Sequence, residues 1–147
     1  MHRVLAAAQR SRALTELCQK HYIASLYVFG SRALEVREWV EGARAELVAG
    51  PSDVDVGIKA AHDVHYTVGD KVQIALELED WLGVNQVDLI VLDTANPFLA
   101  EEVIKGERLY ARDEYQADEY DLYVLRRAGD LASLEREKFA LVLERFS

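Results

Sequence analysis

The sequence predicts an α/β (α+β) fold: a mixed β-sheet of about four strands flanked by helices, with a helical C-terminal segment. Three observations carry this. Short runs of β-branched, aromatic and aliphatic residues alternate with longer stretches of helical periodicity. The 147 residues, half of them hydrophobic, suffice for one domain with its own core and not for two. And Ser52-Asp53-Val54-Asp55-Val56 alternates polar and apolar residues with the period of a strand, with two carboxylates on one face. A single domain over 1–147 is expected, its helical C-terminal segment spanning about 113–147.

The elements follow in order. Arg3 to about His21 reads as a helix, with Leu14, Leu17 and Cys18 at the i, i+3, i+4 spacing of a buried stripe. Ser25 to Phe29 reads as a strand stopped by Gly30, after which Ser31 is placed to cap a helix starting near Arg32. Glu35 to Val48 has helical character, ending near Gly50-Pro51. Asp53 to Ile58 is the second strand, and Ala61 to Val68 a loop. Asp70 to Leu82 is a helix with Gly83 at its end. Gln86 to Leu92 is the most apolar strand candidate and is expected to be central and buried. Pro97 to Lys105 is a short helix stopped by Gly106, and Arg108 to Ala111 a short strand. From about Glu114 to Phe146 the pattern is helical, with a break expected near Gly129-Asp130.

Composition narrows the function. A formal net charge of -9 argues against a protein that grips long nucleic acid through a basic face. It leaves room for a nucleotide, whose phosphates reach an acidic pocket when a divalent cation stands between. No apolar run approaches the roughly 20 residues of a membrane-spanning helix, so no membrane partner is expected. The single cysteine, Cys18, cannot form an internal disulfide, and a cytoplasmic location is the simplest reading.

Three features carry the chemistry. Gly30-Ser31 lies between a strand and a helix, where glycine permits a tight turn close to a ligand and a helix N-terminus suits phosphate; the same pair also serves as an ordinary turn and cap. Asp53 and Asp55 project together, an arrangement tolerated if both face water or if a cation sits between them. Asp88 interrupts an apolar segment, on the face away from Val87 and Leu89. It either marks the exposed start of its strand or, buried, needs a partner or a metal. Arg32 can neutralise phosphate or pair within its helix. His62 and His65 lack further ligands nearby and read as surface residues. Lys59 and Lys71 are surface lysines that could approach phosphates, and Tyr115, Tyr120 and Tyr123 read chiefly as packing residues.

Together, Gly30-Ser31, Asp53-Val54-Asp55 and Asp88 resemble the DNA polymerase beta-type nucleotidyltransferase superfamily. More narrowly they resemble its small MNT-type members, many of them antitoxins paired with HEPN-domain ribonuclease toxins. The flanking apolar runs match, as does Ile104-Lys105-Gly106-Glu107-Arg108-Leu109-Tyr110, and the likeness spans about Leu14 to Arg112. The stretch Leu34 to Gly50 is longer than the family usually places between turn and acid pair, and reads as a longer helix or a flap. The resemblance implies a nucleotidyltransferase-like fold that moves a nucleoside monophosphate, AMP from ATP, to an acceptor hydroxyl, a tyrosine of a HEPN-type toxin. Asp53, Asp55 and Asp88 would be the catalytic residues and ligands of Mg²⁺, two ions with bound nucleotide. Gly30, Ser31 and Arg32 would bind the nucleotide. The toxin would be the partner, in a possible oligomer with this chain. Two other readings stand beside this one: a small-molecule nucleotidyltransferase of the aminoglycoside-modifying kind, and an antitoxin that acts by binding without catalysis.

Overall fold

The computed structural model describes residues 6–47 and 53–146. The elements run α1 (Ala7–Lys20), β1 (Ile23–Phe29), a 3-10 turn (Gly30–Arg32), α2 (Ala33–Glu41), β2 (Val54–Ala60), α3 (Val68–Leu82), β3 (Val87–Val91), a second 3-10 turn (Leu92–Thr94), α4 (Pro97–Ile104), β4 (Glu107–Ala111) and α5 (Glu114–Glu144). The expected start of α1 at Arg3 and the expected stop at Gly50-Pro51 lie outside the described residues. Among the described residues, no helix is long and apolar enough to cross a membrane.

Four strands form one mixed sheet in the order β3-β2-β1-β4. β1 is antiparallel to both β2 and β4, and β2 is parallel to β3. This corrects one expectation: β3 is an edge strand, and Asp88 is exposed on it. Its apolar residues are covered on both faces, Leu89 and Val91 by one core and Ile90 by the other, while Asp88 is exposed and needs no buried partner.

The period of two sorts the strands into two layers. Leu26, Val28, Val54, Val56, Ile58 and Val87 face α1, α2 and α3 and join Leu14, Leu17, Cys18, Ile74 and Leu78 in the larger core. Tyr27 and Phe29 face the other way and pack with Ala100 and Val103 of α4 and Val124 of α5. α4 lies close on the sheet because position 57 is glycine; a Cβ there would run into Val103. Short elements are closed by local chemistry. Thr67 and Asp70 exchange side-chain-to-backbone bonds at the start of α3. Asn96 Oδ1 accepts from Leu99 N ahead of Pro97 in α4.

The long stretch between turn and acid pair resolves into α2 and a loop. α2 stops at Glu41, where Gly42 takes a left-handed conformation, φ 86°. The loop is pinned by Arg10, which is buried and, among the described residues, forms no ion pair with a carboxylate. Its guanidinium donates to the carbonyls of Trp39 (2.5 Å), Arg44 (2.9 Å) and Ala45 (2.9 Å) and lies over the Trp39 ring at 4.6 Å. The described part of the segment is thus packed against α1. Further along, α5 runs unbroken for 31 residues through Gly129, where a break was expected. One glycine in an otherwise good helical run costs only about 1 kcal/mol.

Candidate active site

The candidate residues gather at one end of the sheet, where β1 ends and where β2 and β3 begin. Phe29 is the register partner of Asp55, so the chain leaving β1 must turn beside that carboxylate. It does so at Gly30, with φ 76°. A Cβ at this position would strike Asp55 Oδ2, so glycine is required both by the backbone and by the close approach. Ser31 is exposed next to it. It does not cap the following helix: the N-cap of α2 is Arg32, with no side-chain capping bond. The 3-10 turn inserted between strand and helix moves the cap one residue beyond the serine.

Arg32 is buried and grips Glu35 with two prongs, Nε to Oε2 at 3.1 Å and Nη2 to Oε1 at 3.0 Å. The hydrogen bonds it donates to Glu35 hold its guanidinium above its ordinary pKa. Of the two readings of Arg32, this geometry is the helix-paired one.

Asp53 precedes β2, and Val54 and Val56 bury on the far side, so Asp53 and Asp55 share a face. The parallel pairing of β2 with β3 sets Asp88 directly opposite Asp55. Cross-strand partners point to the same face, so three carboxylates share it. A fourth comes from α4: Glu102, next to the Val103 that rests on Gly57, also acts on Asp55. Nothing in the local pattern singles out Glu102, an exposed acid on a short helix. Only the docking of α4 on Gly57 brings it in.

The electrostatics follow from this gathering. Partial burial pushes the Asp55 carboxyl above the usual aspartate range, and the negative charges of Asp88, Asp53 and Glu102 push it the same way. The lysine nearest along β2, Lys59, is turned to the other end of the strand. There it pairs with Asp93 at 2.6 Å and lies over the Tyr120 ring. Of the three tyrosines expected to pack, only Tyr120 is half-buried, while Tyr115 and Tyr123 are exposed.

Among the described residues, no three acids, histidines or cysteines stand close enough to cage a metal ion by themselves. The donor set nevertheless suits a hard divalent cation. Mg²⁺ is ordinarily held by one or two carboxylates plus the oxygens of a bound phosphate. Asp55, raised by burial and then by its acidic neighbours, is the carboxylate such a cation would relieve most.

A glycine turn set against an Asp-x-Asp strand, with a third aspartate in register on the next strand, is the arrangement on which the resemblance to nucleotidyltransferases rests. The chain belongs to the polymerase beta nucleotidyltransferase family, which matches it over residues 12–115. Solved structures share the fold. A chain of a toxin–antitoxin complex with AMP-PNP superposes with a TM-score of 0.61 at 19% identity, covering 93% of this chain and 98% of that one. A chain of the tri-AMPylated Shewanella oneidensis HEPN toxin in complex with MNT antitoxin gives 0.58 at 18% identity, covering 96% and 99%. A chain of the MntA–HepT toxin–antitoxin gives 0.58 at 18%, covering 95% and 99%. No curated protein matches the chain in sequence.

Proposed function

We propose that this nucleotidyltransferase moves AMP from ATP to a hydroxyl, a tyrosine of a HEPN-type ribonuclease toxin, and so acts as the antitoxin of a pair. The observation that carries the reading is the register of Asp55 against Asp88, with Asp53 on the same face and Gly30 turning against Asp55. The family membership supports the reaction class. The choice of nucleotide and acceptor is supported by likeness of fold to complexes that hold AMP-PNP in one case and an AMPylated HEPN toxin in another.

In this reading Gly30 and Ser31 receive the terminal phosphates at the turn, with Arg32 stiffening the turn through Glu35. Asp53, Asp55 and Asp88 would hold Mg²⁺, which when bound offsets the charge of the triphosphate and of the attacking and leaving oxygens. The acceptor oxygen attacks the α-phosphorus, the bond from that phosphorus to the β-bridging oxygen breaks, and pyrophosphate leaves. In this reading Asp88, exposed at the sheet edge, would take the proton of the acceptor hydroxyl. Incubation with labelled ATP, Mg²⁺ and a folded HEPN partner encoded beside this gene should label a tyrosine of the partner. ATP turnover with no transfer to that partner overturns the choice of acceptor.

A further inference from the structure

α5 is longer than the layer it packs on. Its buried residues, Ala117, Val124 and Ala128, all lie in the first half, and from Ser133 to Phe146 every residue is exposed. The apolar stripe does not stop where the contact stops. At 3.6 residues per turn, Leu131, Ala132, Phe139, Val142, Leu143 and Phe146 continue the line of Val124 and Ala128. Phe139 is 65% exposed and Phe146 84%. A row of large apolar side chains on a protruding helix marks an interaction surface.

The charge pattern selects the occupant. The chain as a whole is strongly acidic, but Asp130 to Phe146 is nearly balanced, with Asp130, Glu135, Glu137 and Glu144 against Arg136, Lys138 and Arg145. A second copy is therefore not repelled along this segment as it would be by the acidic body. Glu135 falls within the apolar stripe, where covering it requires a cation opposite. Arg145 lies on the same flank of the helix as Glu135, and in an antiparallel pair equal flanks face each other. Turning a second helix antiparallel about Ala140 brings Glu135 of each copy level with Arg145 of the other. The same operation leaves Phe139 of each copy within one residue's rise of Val142 of the other, both inside the covered stripe. The arrangement is self-complementary, as a twofold interface demands.

We propose that two copies of this chain associate through antiparallel packing of the C-terminal halves of α5, centred on Phe139 and Val142, with Glu135 and Arg145 paired across the interface. The proposal is independent of the nucleotide chemistry. Sedimentation of the full chain over low to high micromolar concentration tests it. The wild type should show a concentration-dependent monomer–dimer equilibrium, and Phe139→Glu should remain monomeric. Glu135→Arg should weaken association about tenfold or more, and adding Arg145→Glu should restore it to within about threefold of wild type. These residues are exposed, so each variant should keep the wild-type melting temperature at concentrations low enough for the wild type to be monomeric, which a circular-dichroism melt verifies. A wild type that stays monomeric, a dimer indifferent to Phe139→Glu, a charge swap without rescue, or a monomer that uses this face for a different protein overturns the proposal.

Discussion

Two carboxylates in this fold, Asp55 and Glu77, sit in opposite company. Glu77, where α1 meets α3, accepts from Lys20 (2.9 Å), His21 (2.7 Å) and Gln73 (3.1 Å). Burial works against its charge, but these bonds outweigh burial and bring its pKa down to about 2. Asp55 is surrounded by Asp53, Asp88 and Glu102, and burial and neighbours both push it up. One region spends its acid on holding two helices together. The other keeps an arrangement that costs stability until a cation arrives, the pattern expected where function and folding compete.

The contrast can be broken at several points. The largest effect is expected from Asp53→Asn with Asp55→Asn, which should lower nucleotidyl transfer by about a thousandfold or more, read from pyrophosphate release. The same variant should melt higher than the wild type without nucleotide, because like charges have been removed. Gly30→Val comes next. It places a β-branched residue at φ 76° and into Asp55 Oδ2, and should cost about 2–3 kcal/mol in urea unfolding as well as most of the transfer activity. Glu77→Gln should cost about 1–2 kcal/mol near neutral pH and leave transfer by the folded protein intact.

The smallest effect is the most diagnostic, because pH moves the two sites in opposite directions. The folded pKa of Glu77 is lowered, so its contribution is present above the ordinary glutamate range and is lost as pH falls toward about 2. The deficit of Glu77→Gln should therefore shrink on acidification. The folded pKa of Asp55 is raised, so the stability its protonated form contributes is present below the ordinary aspartate range and lost as pH rises through the folded value. The thermal advantage of Asp55→Asn should accordingly appear near neutral pH and fade in acid. Melting curves of both variants across pH check the two signs together.

Much of this was legible in the sequence, and what was not has a common cause. Alternation told which face each strand residue takes, so Val54 and Val56 went to the core and Asp53 and Asp55 to the same side. Gly83 and Pro97 marked helix ends because their backbone rules are local. Strand order is not local. The apolar run around Asp88 looked central, yet β3 is an edge covered on both faces, and no periodicity distinguishes the two. The same nonlocality hid Glu102, which reaches the acids only because Gly57 admits α4, and Arg10, which holds a loop far along the chain through three carbonyls. Ser31 failed as a cap because a 3-10 turn intervenes, a difference of one residue that composition does not encode.

The central claim is that the acid end of the sheet is a nucleotide site completed by a divalent cation. Melting temperature with and without Mg²⁺ and ATP, for the wild type and Asp55→Asn, tests it most directly. The wild type should melt lower without ligand and rise clearly on adding Mg²⁺ with ATP, whereas Asp55→Asn should start higher and rise little or not at all. An Asp55→Asn protein that starts lower than the wild type, or that gains as much from Mg²⁺ with ATP, would contradict it.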